Sequence, residues 1–265
     1  FYNSVTVANG STLTMNPGVT AKLRSTRYIY VHGGFESLGT LANPNYITSF
    51  YDDNIIGDSN GDGAATSPAA GNWHSIRYYP EADDINCNMT YTTVRFGNSS
   101  IYVDDAAPDF DNCEFTNSNW PVHLINTASP IINNSNFAVA TNTPIYMSLS
   151  ANPTLTNNTF STANNGYDAI GIIPETLSSN GYLPIREFTS IPNVTYVFYG
   201  NVTVPAGLSL TIDPGVVIKW TYHTHGLNVE GTLVAMGSAA PDDPSTPIVF
   251  TSVKDDLYGN PADTN

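Results

Sequence analysis

Between Ile101 and Phe160 the chain repeats itself three times with a period too long for a helix or a hairpin. Pro108, Pro130 and Pro153 stand 22 and 23 residues apart. Each has an alanine two positions before it (Ala106, Ala128, Ala151) and an apolar residue two after it (Phe110, Ile132, Leu155). Asn112, Asn134 and Asn157 follow at the fourth position, and Phe115, Phe137 and Phe160 at the seventh. A period near 22 with short apolar alternation reads as one coil of a parallel β-solenoid, in which each turn stacks on the last. Coils then lie one strand spacing apart, roughly 4.8 Å. Equivalent residues become ladders: phenylalanines stacked inside, and asparagines bonded amide to amide as in other in-register stacks. Proline, lacking an N–H, belongs at a turn between strands.

A longer repeat contains these coils. Val5-Thr6-Val7, Gly10, Leu13-Thr14, Pro17-Gly18-Val19 and Lys22 recur 197 residues later as Val202-Thr203-Val204, Gly207, Leu210-Thr211, Pro214-Gly215-Val216 and Lys219. Thr48-Ser49 and Asp52-Asp53 recur as Thr251-Ser252 and Asp255-Asp256. The chain therefore divides into a first unit over 1–197 and the beginning of a second copy over 198–265, continuing the same solenoid. It reads as a segment of a longer tandem array. Coils of about 21–25 residues are expected throughout, with no substantial α-helix and with two lapses. One is a loop between Phe50 and Trp73; the other is an irregular passage over 174–196. Within the coils the first strands align as Ile76/Tyr78, Ile101/Val103, Val122/Leu124, Ile145/Met147 and Ile170/Ile172.

Composition narrows the function classes. The net charge is −15 with three lysines in 265 residues, the wrong sign for nucleic acid or anionic lipid. No apolar stretch is long enough to span a bilayer. Abundant Asn, Thr, Ser and Tyr with little Lys suits an extracellular, secreted or cell-surface β protein. Seven N-x-S/T sequons occur, at Asn9, Asn88, Asn98, Asn133, Asn157, Asn193 and Asn201; a chain this rich in Asn and Thr makes such triplets by accident, and Asn157 is claimed by its ladder. Cys87 and Cys113 fall at different places in the repeat frame, so no disulfide is expected between them.

The opening V-T-V-x-x-G-x-x-L-T-x-x-P-G-V, the turn at Gly231-Thr232-Leu233, the T-S-x-x-D-D run, the Gly57-to-Gly63 loop and the A-x-P coils together resemble the right-handed parallel β-helix repeat regions of secreted prokaryotic surface proteins, which share the pectate-lyase-like fold. The resemblance covers nearly the whole chain. It implies an all-β right-handed solenoid and leaves activity open, because that family joins structural and adhesive proteins to a minority of polysaccharide lyases and hydrolases.

Two constellations could carry chemistry. Asp58, Asn60 and Asp62 put oxygen side chains at alternate positions before Gly63, the arrangement that wraps a hard cation such as Ca²⁺, with Asp52 or Asp53 completing the shell. The twelfth position is Ala69, so this is no EF-hand. Asp/Asn/Gly clusters are also ordinary turn chemistry. In the second constellation Arg77, Tyr102, His123, Tyr146 and Gly171 stand between inward apolar positions and must point outward as a stripe, with Tyr79 and Asp104 alongside. Sugar rings stack on such aromatics, and the resemblance implies that lyases and hydrolases of this fold work on an equivalent face; the bland reading is cross-strand packing. No catalytic residue is assigned. The carboxylate pairs Asp83-Asp84, Asp104-Asp105 and Asp109 with Asp111 lack the surrounding polygalacturonase motifs, and adjacent aspartates are commonly turn residues. His223 and His225, two apart on a strand, offer a metal only two ligands. The expectation is a calcium-stabilised structural rod of a surface filament, sheath or adhesin, associating with copies of itself, with further repeats, or with cell-surface glycan. A polysaccharide-binding module or enzyme is the competing expectation.

Overall fold

The computed structural model describes residues 1–162, 164–189, 191–237 and 247–264. Asn265, the last oxygen side chain of Asp263-Thr264-Asn265, the second copy's counterpart of Asp58-Ser59-Asn60, lies outside them. Every ladder between the described strands is parallel, and the strands wind through about ten turns of a right-handed solenoid.

One face runs unbroken through all ten turns: Val5–Val7, Tyr28–Val31, Ser75–Tyr78, Ser99–Asp104, Trp120–Ile125, Ile145–Met147, Ile170–Ile172, Tyr196–Phe198, Val217–Trp220 and Val249–Ser252. The second and third faces hold six strands each through turn six, from Thr12–Met15 to Thr154–Thr156 and from Thr20–Leu23 to Thr159–Phe160. They resume as three-stranded sheets in turns seven to nine. The passage over 174–196 is thus more ordered than its sequence suggests. Glu175–Thr176 pairs with Val202 and Thr203, and Gly181–Leu183 with Leu210 to Ile212. Glu175–Thr176 is too short to show a period of two, and Gly181–Leu183 sets a glycine at one of its two inward positions.

Alternation along each strand sends one set of side chains into a continuous core. Ile76, Tyr78, Ile101, Val103, Val122, Leu124, Ile145 and Met147 are fully buried, in the alignment read from sequence. Phe115, Phe137 and Phe160 are partners in register and form an internal ladder, with ring centroids of the first two 5.5 Å apart. Burying each ring contributes about 1.5–3 kcal/mol. Pro108 and Pro130 sit at the turn before the second face, where their carbonyls accept the amides of Ile131 and Thr154 in the next coil. Cys87 and Cys113 are buried and unpaired.

The asparagine ladder takes a different form. Asn112, Asn134 and Asn157 adopt φ of 53°, 48° and 54° at the corner between second and third faces. Asparagine is among the few residues that tolerate this left-handed conformation, and the backbone is the reason for the recurrence. The amides join only in part. Asn157 Nδ2 donates to Asn134 Oδ1 at 3.4 Å, but Asn134 and Asn112 both donate to Asp111, each at 2.7 Å. Asn157 is exposed; its neighbour Asn158 is the buried one, receiving Ser135 N and donating to Ile132 O.

The 197-residue repeat and the solenoid are out of phase. Val5–Val7, Thr12–Met15 and Thr20–Leu23 occupy the first, second and third faces, whereas their copies Val202–Val204, Ser209–Ile212 and Val217–Trp220 occupy the second, third and first. Among the described residues Val5–Val7 is the first strand in chain order and Val202–Val204 the twenty-third, so the unit holds twenty-two described strands, seven turns of three and one strand over.

A candidate cation loop and an aromatic face

After Asn45–Ser49 the chain leaves the coil and returns at Ser75, and the excursion lies over the outside of the third face. Its root is a buried ion pair. Asp52, with no exposed surface, accepts Arg95 Nε at 2.9 Å, Arg95 Nη2 at 2.6 Å and Thr48 Oγ1 at 2.5 Å on one oxygen. Lys22, pointing outward from turn one yet buried beneath the loop, donates to Gly57 O at 2.8 Å and Ser59 Oγ at 2.7 Å. These two anchors seat the tip.

At the tip Asp58 accepts Gly61 N at 2.6 Å and Gly63 N at 2.8 Å, and these donors hold its carboxyl below the usual range. Gly61 and Gly63 have φ of 74° and 71°, which permits the tight wrap. Thr66 Oγ1 donates to Asp62 Oδ2 at 2.6 Å and receives Asn60 Nδ2 at 2.9 Å. That leaves Asp53 Oδ1, Asn60 Oδ1 and Asp62 Oδ1 buried with no hydrogen-bond partner. One carboxylate oxygen each from Asp53, Asp58 and Asp62 lies within 4.8 Å of the others. Buried acceptors that receive no donor, beside carboxylates this close together, are costly unless a cation joins them. The residues fit a hard, oxygen-seeking ion of the Ca²⁺ class. The Asp52 oxygen that Arg95 leaves free is also without a partner, but the bidentate Arg95 contact makes Asp52 the loop's tether, leaving Asp53 as the nearer ligand.

The second constellation is in register as read. Arg77, Tyr102, His123, Tyr146 and Gly171 are successive partners along the middle of the first face, and the row extends back to Tyr30 and on to Val197 and Lys219. Arg77 lies over the rings of Tyr102 at 4.3 Å and Tyr79 at 4.9 Å, with Asp104 at 3.6 Å. His123 sits between Tyr102 at 4.8 Å and Tyr146 at 4.9 Å. Burial, with Arg77 nearby, pushes its imidazole down to about 4, so it is neutral at pH 7. Trp120 stacks on Tyr146 at 4.0 Å, and Tyr199 meets both edge-on. Gly171 makes room for this cluster: a Cβ there would lie 2.9 Å from Tyr199 Cε2 and 3.0 Å from Tyr146 Cδ2. Spacing along the chain does not point to Trp120, Tyr199 or Tyr30: Trp120 opens the strand that carries His123, Tyr30 pairs with Arg77 one coil away, and Tyr199 follows a strand two coils beyond Tyr146.

The remaining candidates have structural employment. Asp84 accepts Ala107 N, Asp105 accepts Thr127 N and Oγ1, and Asp111 accepts Asn134 Nδ2, each tying one coil to the next. His223 and His225 lie in the turn after Val217–Trp220 rather than on a strand, and His225 Nδ1 is 3.0 Å from Thr221 Oγ1. The metal-competent group among the described residues is the Asp53, Asp58 and Asp62 cluster, which contains neither histidine.

Residues 52–181 match the family model described as the right handed beta helix region. No curated protein and no solved structure matches the chain.

Proposed function

We propose, from the premise that this chain is a right-handed parallel β-helix, that it works mechanically, as a cation-stiffened rod in an extracellular filament, sheath or adhesin stalk. The fold itself is shared by enzymes and non-enzymes. The observation that carries the structural reading is the loop over 52–63, where carboxylate oxygens of Asp53, Asp58 and Asp62 lie within 4.8 Å of one another, Asp53 Oδ1 and Asp62 Oδ1 go without a partner, and the tip is fastened to the coil by Lys22 and Arg95. A Ca²⁺ ion there would be held by Asp53, Asp58, Asn60 and Asp62 and would neutralise their mutual repulsion. In each acidic pair that could have been catalytic at least one member, Asp84, Asp104, Asp105 or Asp111, is engaged in a coil-to-coil bond, which favours a stiff rod over a reactive groove.

Association of repeat with repeat has a precedent inside the chain. The first strand of the second copy, Val202–Val204, pairs directly on Glu175–Thr176 of the first unit through the ordinary ladder. Further repeats, or copies of the chain, would join in the same way.

The test is a calcium titration by calorimetry on the whole chain, alongside Asp53→Asn and Asp62→Asn, with negative-stain microscopy of the natural material before and after chelation. Calcium binding that either variant weakens at least about tenfold, and filaments that fray on chelation, are the expected results. No heat of binding and dispersed rods indifferent to chelation would sink both the cation and the filament.

A second reading draws on the aromatic row. Arg77, Tyr102, His123 and Tyr146 form a continuous aromatic and cationic ribbon suited to stacking against a cell-surface glycan. A glycan screen in which Tyr102→Ala and Tyr146→Ala abolish a positive signal would favour it; an empty screen would remove it.

A further inference from the structure

The second copy has its own excursion, over 253–264, and it fastens by the same devices as the first. Thr251 Oγ1 donates to Asp255 Oδ2 at 2.5 Å, as Thr48 does to Asp52. Lys219, outward-pointing and fully buried, donates to Asp255 O at 2.7 Å and to Ala262 O, as Lys22 does to Gly57 and Ser59. Both lysines follow a Pro-Gly-Val turn on equivalent strands. Each excursion is thus a strap seated on a buried ammonium.

The two straps cover different faces. The first lies over the third face, on Lys22 and Arg95. The second runs back over the first face, where Asn260 O accepts Thr195 N and Thr264 O accepts Asp168 N at 2.8 Å. There Val253 packs on Ala169 and Val197, with Tyr167 and Tyr199 against them. This explains why Val197 and Lys219, outward in the same row as exposed-side Tyr102 and Tyr146, have no exposed surface.

We infer that the 197-residue unit is a screw element of seven and one-third turns, each unit laying its strap on the next face round the rod through its own receptor lysine. Three units bring the strap back to the starting face. The surface recognised is the outer side of one face, and the partner is the strap of the unit that owns the receptor strand. A corollary is that the aromatic ribbon is bounded at one end by the second unit's strap and runs free of straps toward turn four. None of this depends on calcium or on glycan binding.

In the whole chain, Lys219→Met should speed hydrogen exchange of the amides over 253–264 by about ten- to a hundredfold, the worth of hydrogen bonds to a charged group. It should also raise hydroxyl-radical labelling of Tyr167 and Tyr199. Lys22→Met should leave those signals alone and free residues 57–63 instead. If Lys219→Met leaves Tyr167 and Tyr199 unchanged, the strap is not on the first face and the screw is wrong. A measurement free of the lysine variants uses Asp168→Cys with Thr264→Cys and a short bismaleimide: an intramolecular cross-link is expected, and its absence overturns the seating. In chains carrying several units, straps viewed along one side should recur about every 105 Å, three units of coils at roughly 4.8 Å each. A recurrence of about 35 Å would mean that units stack in phase and would refute the rotation.

Discussion

Acid should loosen the first face through His123. In the unfolded chain this imidazole takes a proton near 6.5; in the fold, burial between Tyr102 and Tyr146 lowers that to about 4. Between those values the unfolded chain binds a proton that the folded chain refuses, so stability is fully present above pH 6.5 and is lost as the pH falls toward 4. About two and a half pKa units at 1.36 kcal/mol each set a ceiling of about 3 kcal/mol. At pH 4.5 the loss comes to about 2.5 kcal/mol by the same linkage. Glu175, Asp168 and Asp109, whose carboxyls burial raises, contribute with the opposite sign, favouring the fold as the pH falls. A comparison with His123→Gln removes their contribution, because both proteins carry them. Urea unfolding followed by circular dichroism at pH 7 and pH 4.5, with calcium held constant, should show the variant gaining about 2 kcal/mol on the parent protein as the pH drops. A gap that does not change with pH, or an NMR titration placing His123 near 6.5, would refute the assignment of a desolvated imidazole.

Arg95→Met leaves the buried Asp52 carboxylate without its cation and should cost about 3–5 kcal/mol; adding Asp52→Asn should restore much of it, a cycle read by denaturant unfolding. Phe137→Ala opens the internal ladder between Phe115 and Phe160 and should cost about 3–5 kcal/mol, seen as a lower thermal midpoint. Gly171→Ala drives a methyl against Thr143, Tyr146 and Tyr199 and should cost about 1–3 kcal/mol, with a change in near-ultraviolet circular dichroism from the displaced rings.

Much of the fold was legible because a solenoid turns a linear period into a spatial one. The proline frame placed Phe115, Phe137 and Phe160 one above another, and apolar alternation aligned Ile101, Val122 and Ile145 without knowledge of the third dimension. The same logic put Tyr102, His123 and Tyr146 in one outward row. It faltered where the signal was conformational: Asn112, Asn134 and Asn157 recur for their left-handed backbone, and amide pairing is secondary. It faltered again at Glu175–Thr176 and Gly181–Leu183, strands held by their neighbours rather than by their own pattern.

Spacing along the chain is enough to specify the coil, the core ladders, the outward row and the oxygen-rich loop. What lies over what is settled by the folded chain. That Asp52 answers to Arg95, that Lys22 and Lys219 are buried beneath straps, and that the repeat returns one face out of step all depend on contacts between distant residues and on the number of strands per unit. A period in residues records the repeat length. The angle through which the chain has turned on reaching the next copy is set by how many strands fit in that length, and short strands such as Glu175–Thr176 are countable only once they are paired.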